Sequence, residues 1–198
     1  MPYRFSRFIL LLLCKIFFRI KVTGTNFIPK SGGFILACNH FSYLDPVALG
    51  VACKRSLRFM AKEDLFLNNY LRGWLNAVGV IPVKRNQADL SALKKGLRAV
   101  HNGEGLGLFP EGTRRSPQTA YVNPEPGVGF LADKGNVPVI PAFIKGTEIA
   151  LPRGARQLRL CRIKVRFGEQ ILIERGKPYQ EIAEMIMASV KKLSRENN

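Results

Sequence analysis

Five short runs rich in apolar and β-branched residues punctuate this chain, at 34–38, 57–61, 78–83, 106–109 and 137–144, with helix-like patterns between them. That rhythm leaves few architectures open, because strands alternating with helices build an α/β domain. The clearest internal helix starts near Asp89, puts Leu90, Leu93, Leu97 and Val100 on one face and stops at His101-Asn102-Gly103, where Asn and Gly are stop signals. A last amphipathic helix, over about 179–193, follows Pro178. The chain has 198 residues, 46% of them apolar, which is enough for one domain with a full core. The expectation is a single domain over 22–198, a mixed central sheet flanked by helices, with no internal repeat or linker.

Two other stretches bear on organisation. Residues 113–129 are rich in Pro, Gly, Ser and Asn and read as a long loop before a short helix near 130–134. Arg162, Lys164 and Arg166 alternate with Ile163, Val165 and Phe167, which predicts a strand with one apolar and one basic face. The basic face is either a solvated surface or a docking surface.

Residues 1–21 form a separate unit. The run 8–18 is interrupted by Lys15 and is too short to cross a bilayer, which takes about 20 apolar residues. Lys15, Arg19 and Lys21 stand where a cleaved signal would have small residues, so the segment is expected to be retained. On a helix, Phe5, Ile9, Leu12, Leu13, Ile16, Phe17 and Ile20 share a broad apolar face, with Arg4, Arg7, Lys15 and Arg19 on the other side. Such a helix lies in a membrane interface, its basic face toward lipid headgroups, or packs its apolar face on the domain, and the two can coexist.

Charge narrows the partners. Lys and Arg number 31 against 14 Asp and Glu, a formal net charge of +17, and a surface of that kind attracts nucleic acid, anionic lipid, phosphorylated substrates or an acidic carrier protein. No nucleic-acid motif or aromatic stacking pattern accompanies the charge, so a nucleic-acid partner is not expected. The cysteines, at 14, 38, 53 and 161, contain no Cys-x-x-Cys pair, which indicates neither a disulfide framework nor a zinc site. His101 has no ligand partner at useful spacing, and no metal is expected.

Three strand ends carry chemistry. Asn39-His40-Phe41-Ser42-Tyr43-Leu44-Asp45 supplies an imidazole and a carboxylate, the minimum equipment for taking a proton from a hydroxyl near neutral pH. Asp45 precedes Pro46, a pair that suits a helix N-cap and first helical residue. A five-residue separation on one helix would hold the two groups about 140° apart, so the loop must curl back to bring them together. Phe109-Pro110-Glu111-Gly112-Thr113-Arg114-Arg115 adds a carboxylate, a glycine and two guanidiniums, the equipment of a phosphate site. Gly79-Val80-Ile81-Pro82-Val83-Lys84-Arg85 ends another strand with two cations. Ligands of open α/β sheets sit outside the carboxyl ends of strands, so these ends define one site.

With Val137-Pro138-Val139-Ile140-Pro141 as a fourth block, the chain resembles the glycerolipid acyltransferases typified by 1-acylglycerol-3-phosphate acyltransferase, over about residues 20–170. The resemblance implies transfer of a fatty acyl group from a thioester, on coenzyme A or acyl carrier protein, to the free hydroxyl of lysophosphatidate, giving phosphatidate. It implies His40 as general base and Asp45 as its orienting partner. Lys84, Arg85 and Arg114 would bind the glycerol phosphate, Glu111, Gly112 and Thr113 would shape that pocket, and Val139, Ile140 and Pro141 would line the acyl site. No bound cofactor is implied, the acyl thioester being a co-substrate, and the setting is an anionic membrane surface on the cytoplasmic side. Glu125-Pro126-Gly127 departs from the family, where Lys often precedes the glycine. Cys38 is expected in the strand core, since direct transfer to the hydroxyl needs no acyl-enzyme.

Overall fold

The computed structural model describes residues 2–84, 89–116, 123–155 and 157–195. The chain runs through α1 (Pro2–Phe18), β1 (Lys21–Thr23), β2 (Phe34–Cys38), α2 (Asp45–Ala52), β3 (Leu57–Lys62), α3 (Asn69–Ala77) and β4 (Ile81–Val83). It continues through α4 (Leu90–His101), β5 (Gly105–Leu108), α5 (Pro126–Gly135), β6 (Val139–Lys145), α6 (Thr147–Ala150), β7 (Lys164–Phe167) and α7 (Tyr179–Arg195). The strands form one seven-stranded sheet in the order β1-β7-β6-β2-β5-β3-β4. β6, β2, β5, β3 and β4 are parallel, and β7 returns antiparallel to β6 with β1 parallel at its edge.

Both sheet faces are buried, which is why the central strands read as unbroken apolar runs. Along β2, Phe34, Leu36 and Cys38 enter a core shared with α1 and α2. Ile35 and Ala37 enter a second core against α4, α5 and α7. This is the two-residue period of a pleated strand. β5 offers only glycine to the first face: a Cβ on Gly107 would stand 2.4 Å from the Phe59 ring, so this glycine is what lets Phe59 lie across the strand.

The sequence expectations meet the structure unevenly. α4 starts behind Asp89, whose side chain accepts from Ala92 N at 3.0 Å as an N-cap does, and His101 closes the helix in solvent. The strand expected from residue 78 begins at Ile81, because Gly79 at φ 77° ends the turn after α3, a helix the sequence reading did not anticipate. α5 begins at Pro126, earlier than expected. β7 alternates buried Val165 and Phe167 with partly exposed Lys164 and Arg166.

α1 packs Leu10, Leu11, Cys14 and Phe18 against the first core and turns most of the expected apolar face outward. Tyr3 Oη accepts from Leu57 N at 3.1 Å. The Arg7 guanidinium donates to Val51 O and Cys53 O, both at 2.9 Å, where the end of α2 leaves carbonyls unpaired. Arg7 therefore faces the domain, contrary to the expected lipid-facing basic side; the Arg4 side chain lies outside the described set. Phe5, Phe8, Leu12 and Ile16 point outward at 68, 66, 52 and 61% exposure. Tyr70 and Trp74 of α3 add to this surface, and Trp74 Nε1 donates to Ser6 Oγ at 3.3 Å. No described helix is long and apolar enough to cross a membrane.

Candidate active site

The site lies beyond the carboxyl ends of β2, β5 and β6, as expected for a parallel sheet. Asn39 fixes the first of these ends: its amide donates to Ile144 O at 2.9 Å and accepts from Ile144 N at 2.8 Å, locking β2 to β6. The loop then curls back to α2. Asp45 is the first residue of that helix, with Leu44 at the cap position, so its carboxylate serves the loop instead of capping α2. Asp45 Oδ2 accepts from Phe41 N at 2.6 Å, Ser42 N at 2.7 Å and His40 Nδ1 at 2.9 Å. Asp45 Oδ1 accepts from Thr147 Oγ1 at 2.5 Å.

This geometry sets the tautomer. A fully buried carboxylate facing Nδ1 places the ring proton there and leaves Nε2 with a lone pair, the arrangement of a general base. The imidazole is also held flat: it stacks on Phe109 at 4.2 Å, and Phe109 stacks on Phe59 at 6.3 Å, the ring that Gly107 admits. Thr147 escaped the sequence reading. Its signal is only a hydroxyl after β6, and its contact spans 102 residues of chain.

The loop after β5 grips the same backbone from both sides. His40 N donates to Glu111 Oε1 at 3.5 Å, and Arg115 N donates to His40 O at 2.8 Å. Gly112 turns the loop at φ 65°, and a Cβ there would meet the Glu125 side chain at 2.6 Å, so the departure from the family pattern packs directly on this turn. Thr113 N donates to Glu111 O at 2.7 Å. Arg114 lies over the Tyr43 ring at 3.4 Å, a cation–π contact that keeps its guanidinium beside the His40 loop. Lys84 is exposed at the end of β4, where its backbone N–H donates to Asp89. Arg85 lies outside the described residues. Val139 and Ile140 are fully buried on opposite faces of β6. Pro141 borders a groove of about 840 Å³ between β1, β7 and α7, away from the His40 loop.

Two titratable groups in and beside the His40 loop are displaced. Burial pushes the Glu111 carboxyl from 4.5 up to about 7, opposed by the His40 N–H and the Arg115 charge. Burial pushes the Cys38 thiol well up, and the charges of Asp45 and Glu111 push it further; a thiol so held stays protonated, which suits a strand-core residue and not a nucleophile. Among the described residues no group of three or more His, Cys, Asp or Glu is placed to hold a metal ion.

Glu111 yields a stability prediction. Its folded pKa lies above its unfolded one, so it contributes stability that is complete below about 4.5 and lost as pH rises through about 7. Glu111→Gln is expected to remove that dependence. Denaturant titrations at pH 5 and pH 8 should show the wild-type loss exceeding the variant's by up to about 3 kcal/mol. Equal losses would show the carboxyl ionised throughout.

The His40–Asp45 pair, the loop that carries Glu111 and Arg114, and the parallel strand ends of an α/β scaffold meet in this one place. The family profile described as Acyltransferase matches residues 19–145, and the chain belongs to that family. It is 29% identical over 153 residues to a 1-acyl-sn-glycerol-3-phosphate acyltransferase of Bacillus subtilis, covering 77% of this chain and 73% of that one. A Streptococcus pneumoniae protein of the same name is 27% identical over 166 residues, 82% of this chain and 60% of the relative. Against the chloroplastic LPAT1 of Arabidopsis thaliana the identity is 30% over 164 residues, 78% of this chain and 45% of the relative. The crystal structure of the Thermotoga maritima 1-acyl-sn-glycerophosphate acyltransferase PlsC shares the fold, with a TM-score of 0.73 and 23% identity over 96% of this chain and 82% of that one.

Proposed function

We propose that the protein transfers a fatty acyl group from a thioester to the free hydroxyl of 1-acylglycerol-3-phosphate, giving phosphatidate for phospholipid synthesis. The observation that carries this reading is the His40–Asp45 pair at 2.9 Å, in the loop whose Tyr43 ring holds the Arg114 guanidinium. His40 Nε2 takes the hydroxyl proton as the oxygen bonds to the thioester carbonyl. The tetrahedral intermediate then expels the thiolate, which is a good leaving group at a free pKa of about 8.5 and recovers the proton from the imidazolium. Arg114 anchors the acceptor phosphate as a charge-assisted donor, with Lys84 and Arg85 as further cations for the same group. Glu111, Gly112 and Thr113 shape the loop around it, whereas Val139 and Ile140, fully buried in the two cores, expose no surface to an acyl chain.

The test is mass-spectrometric detection of phosphatidate from purified protein, lysophosphatidate and each of two donors, acyl-coenzyme A and acyl carrier protein thioester. Product with either donor upholds the reading. If lysophosphatidate fails while glycerol 3-phosphate or a phosphate-free lysolipid is acylated, the acceptor is wrong.

The acceptor and product are lipids, and the outward face of α1 supplies the means of meeting them. We assign the protein to the cytoplasmic membrane surface as a peripheral or monotopic protein, with the α1 and α3 side chains in the interface and anionic headgroups attracted by the net charge of +17. Each buried Phe or Leu contributes about 1.5–3 kcal/mol to partitioning. Phe5→Ser/Phe8→Ser/Leu12→Ser is therefore expected to weaken vesicle binding by at least about 100-fold with an unchanged melting temperature, since these side chains touch little of the domain. Undiminished sedimentation with vesicles would place the contact elsewhere.

A further inference from the structure

A second cleft, of about 410 Å³, opens behind the His40 loop between the loop after β5, the end of β6 and the last turns of α7. It lies on the α7 face of the sheet, whereas the His40 ring rests on Phe109 and Phe59 toward the α1–α2 face. Asn39 and Glu111 belong to both, so only this wall separates the cleft from the base.

The lining is cationic on one side, with Arg115, Lys145, Lys191 and Arg195. Lys191 and Arg195 stand one turn apart on α7 and so share a face. The carboxylates oppose this weakly: Glu148 Oε2 already accepts from Gly146 N at 2.8 Å, and burial keeps Glu111 half protonated near neutral pH. The other side is apolar, with Phe41 set edge-on to Phe143 at 6.3 Å, beside Met187 and Val190. Two polar atoms are buried there without a partner among the described residues: Arg115 Nε and Glu111 Oε2, on a residue only 6% exposed. Buried polar atoms are almost always paired. A phosphate oxygen would satisfy both, accepting from the guanidinium N–H and from the carboxyl when it carries its proton.

Adjacent arginines thus serve different places, Arg114 the Tyr43 side and Arg115 the cleft. The apolar faces of α1 and α3 lie on the first side, where a lipid acceptor would approach; the cleft opens on the α7 side. We propose that this cleft seats the phosphate groups of the acyl-thioester donor, a phosphopantetheine-bearing thiol, with its long flexible arm passing the Asn39–Glu111 wall to His40. The assignment rests on the acyl-transfer reading for the identity of the donor, and the cleft's own chemistry supplies the phosphate and the mixed apolar and cationic walls.

The test is calorimetric titration of the full chain in detergent micelles, comparing wild type with Lys145→Ala/Arg195→Ala, both exposed positions whose truncation leaves the core intact. The probes are coenzyme A, holo and apo acyl carrier protein, phosphate-free pantetheine and lysophosphatidate. The double variant is expected to bind coenzyme A or the holo carrier about 10- to 100-fold more weakly, with pantetheine, apo carrier and lysophosphatidate changed less than about twofold. Whichever of the two phosphorylated thiols responds names the donor. Unchanged affinity for both overturns the proposal, and so does a loss confined to lysophosphatidate, which would make the cleft an acceptor site. A wild type that makes no phosphatidate but shows the expected loss would refute the reaction and leave the cleft assignment standing.

Discussion

His40→Ala is expected to yield a folded, vesicle-binding protein that forms phosphatidate about 10²- to 10⁴-fold more slowly than wild type, the contribution usual for a positioned general base. The separation of effects follows from where the residue sits. Its ring touches Phe109 and Asp45, so truncation opens a shallow space at the edge of the core, while the exposed apolar side chains of α1 belong to another surface. Rates of phosphatidate formation, a thermal melt and vesicle sedimentation read the three properties independently. Turnover within about tenfold of wild type would remove His40 from the proton transfer, and a collapsed melt would make it structural.

Asp45→Asn is expected to cost about 10³-fold in turnover together with a measurable loss of stability. The carboxylate accepts from two backbone N–H groups, the His40 ring and the Thr147 hydroxyl at once. An amide has one accepting oxygen, so at least one of these donors would face an NH₂ group or lose its partner. Each buried donor so abandoned costs about 1–3 kcal/mol. The amide can also reverse the tautomer of His40, putting the proton on Nε2 where the hydroxyl must be deprotonated. Thr147→Val separates the two effects, since it removes one donor to Oδ1 and leaves the His40 contact in place. If Asp45→Asn were unstable yet fully active per folded molecule, the carboxylate would be a loop fastener only.

What could be read from the sequence followed from periodicity. β2, β5 and β6 are buried on both faces and announce themselves as continuous apolar runs, and the stripes of α4 and α7 repeat over enough turns to register. β1 has three residues, too few for a period; β4, equally short, fell inside the expected run 78–83, whose start lay three residues early. α3 is short, carries Gly73 and leaves Tyr70 and Trp74 in solvent, so its pattern mimics an exposed loop; Asn68, which caps it through Leu71 N, was its one local signal. For the candidate site, His40, Glu111 and Arg114 could be singled out because they lie in the loops just past β2 and β5, and Asp45 because it opens α2 at the end of the His40 loop. The two roles that needed the folded chain, Asn39 tying β2 to β6 and Thr147 completing the carboxylate, join residues more than a hundred positions apart. Local spacing carries no trace of such contacts. The Asp45-Pro46 pair marked the start of a helix correctly but misassigned the duty of its side chain.

Arg7 and Asp45 sit at opposite ends of one rigid rod. The helix between them has eight residues, roughly 12 Å at 1.5 Å per residue, and its far end is clasped by the Arg7 guanidinium of α1. With α1 in the interface, the height of the proton acceptor above the headgroups becomes a fixed dimension of the protein, as in a depth gauge. On the proposed membrane placement, an acceptor hydroxyl held much deeper or shallower in the lipid would miss His40 altogether, and part of the choice of acceptor would be made by a ruler and not by a pocket.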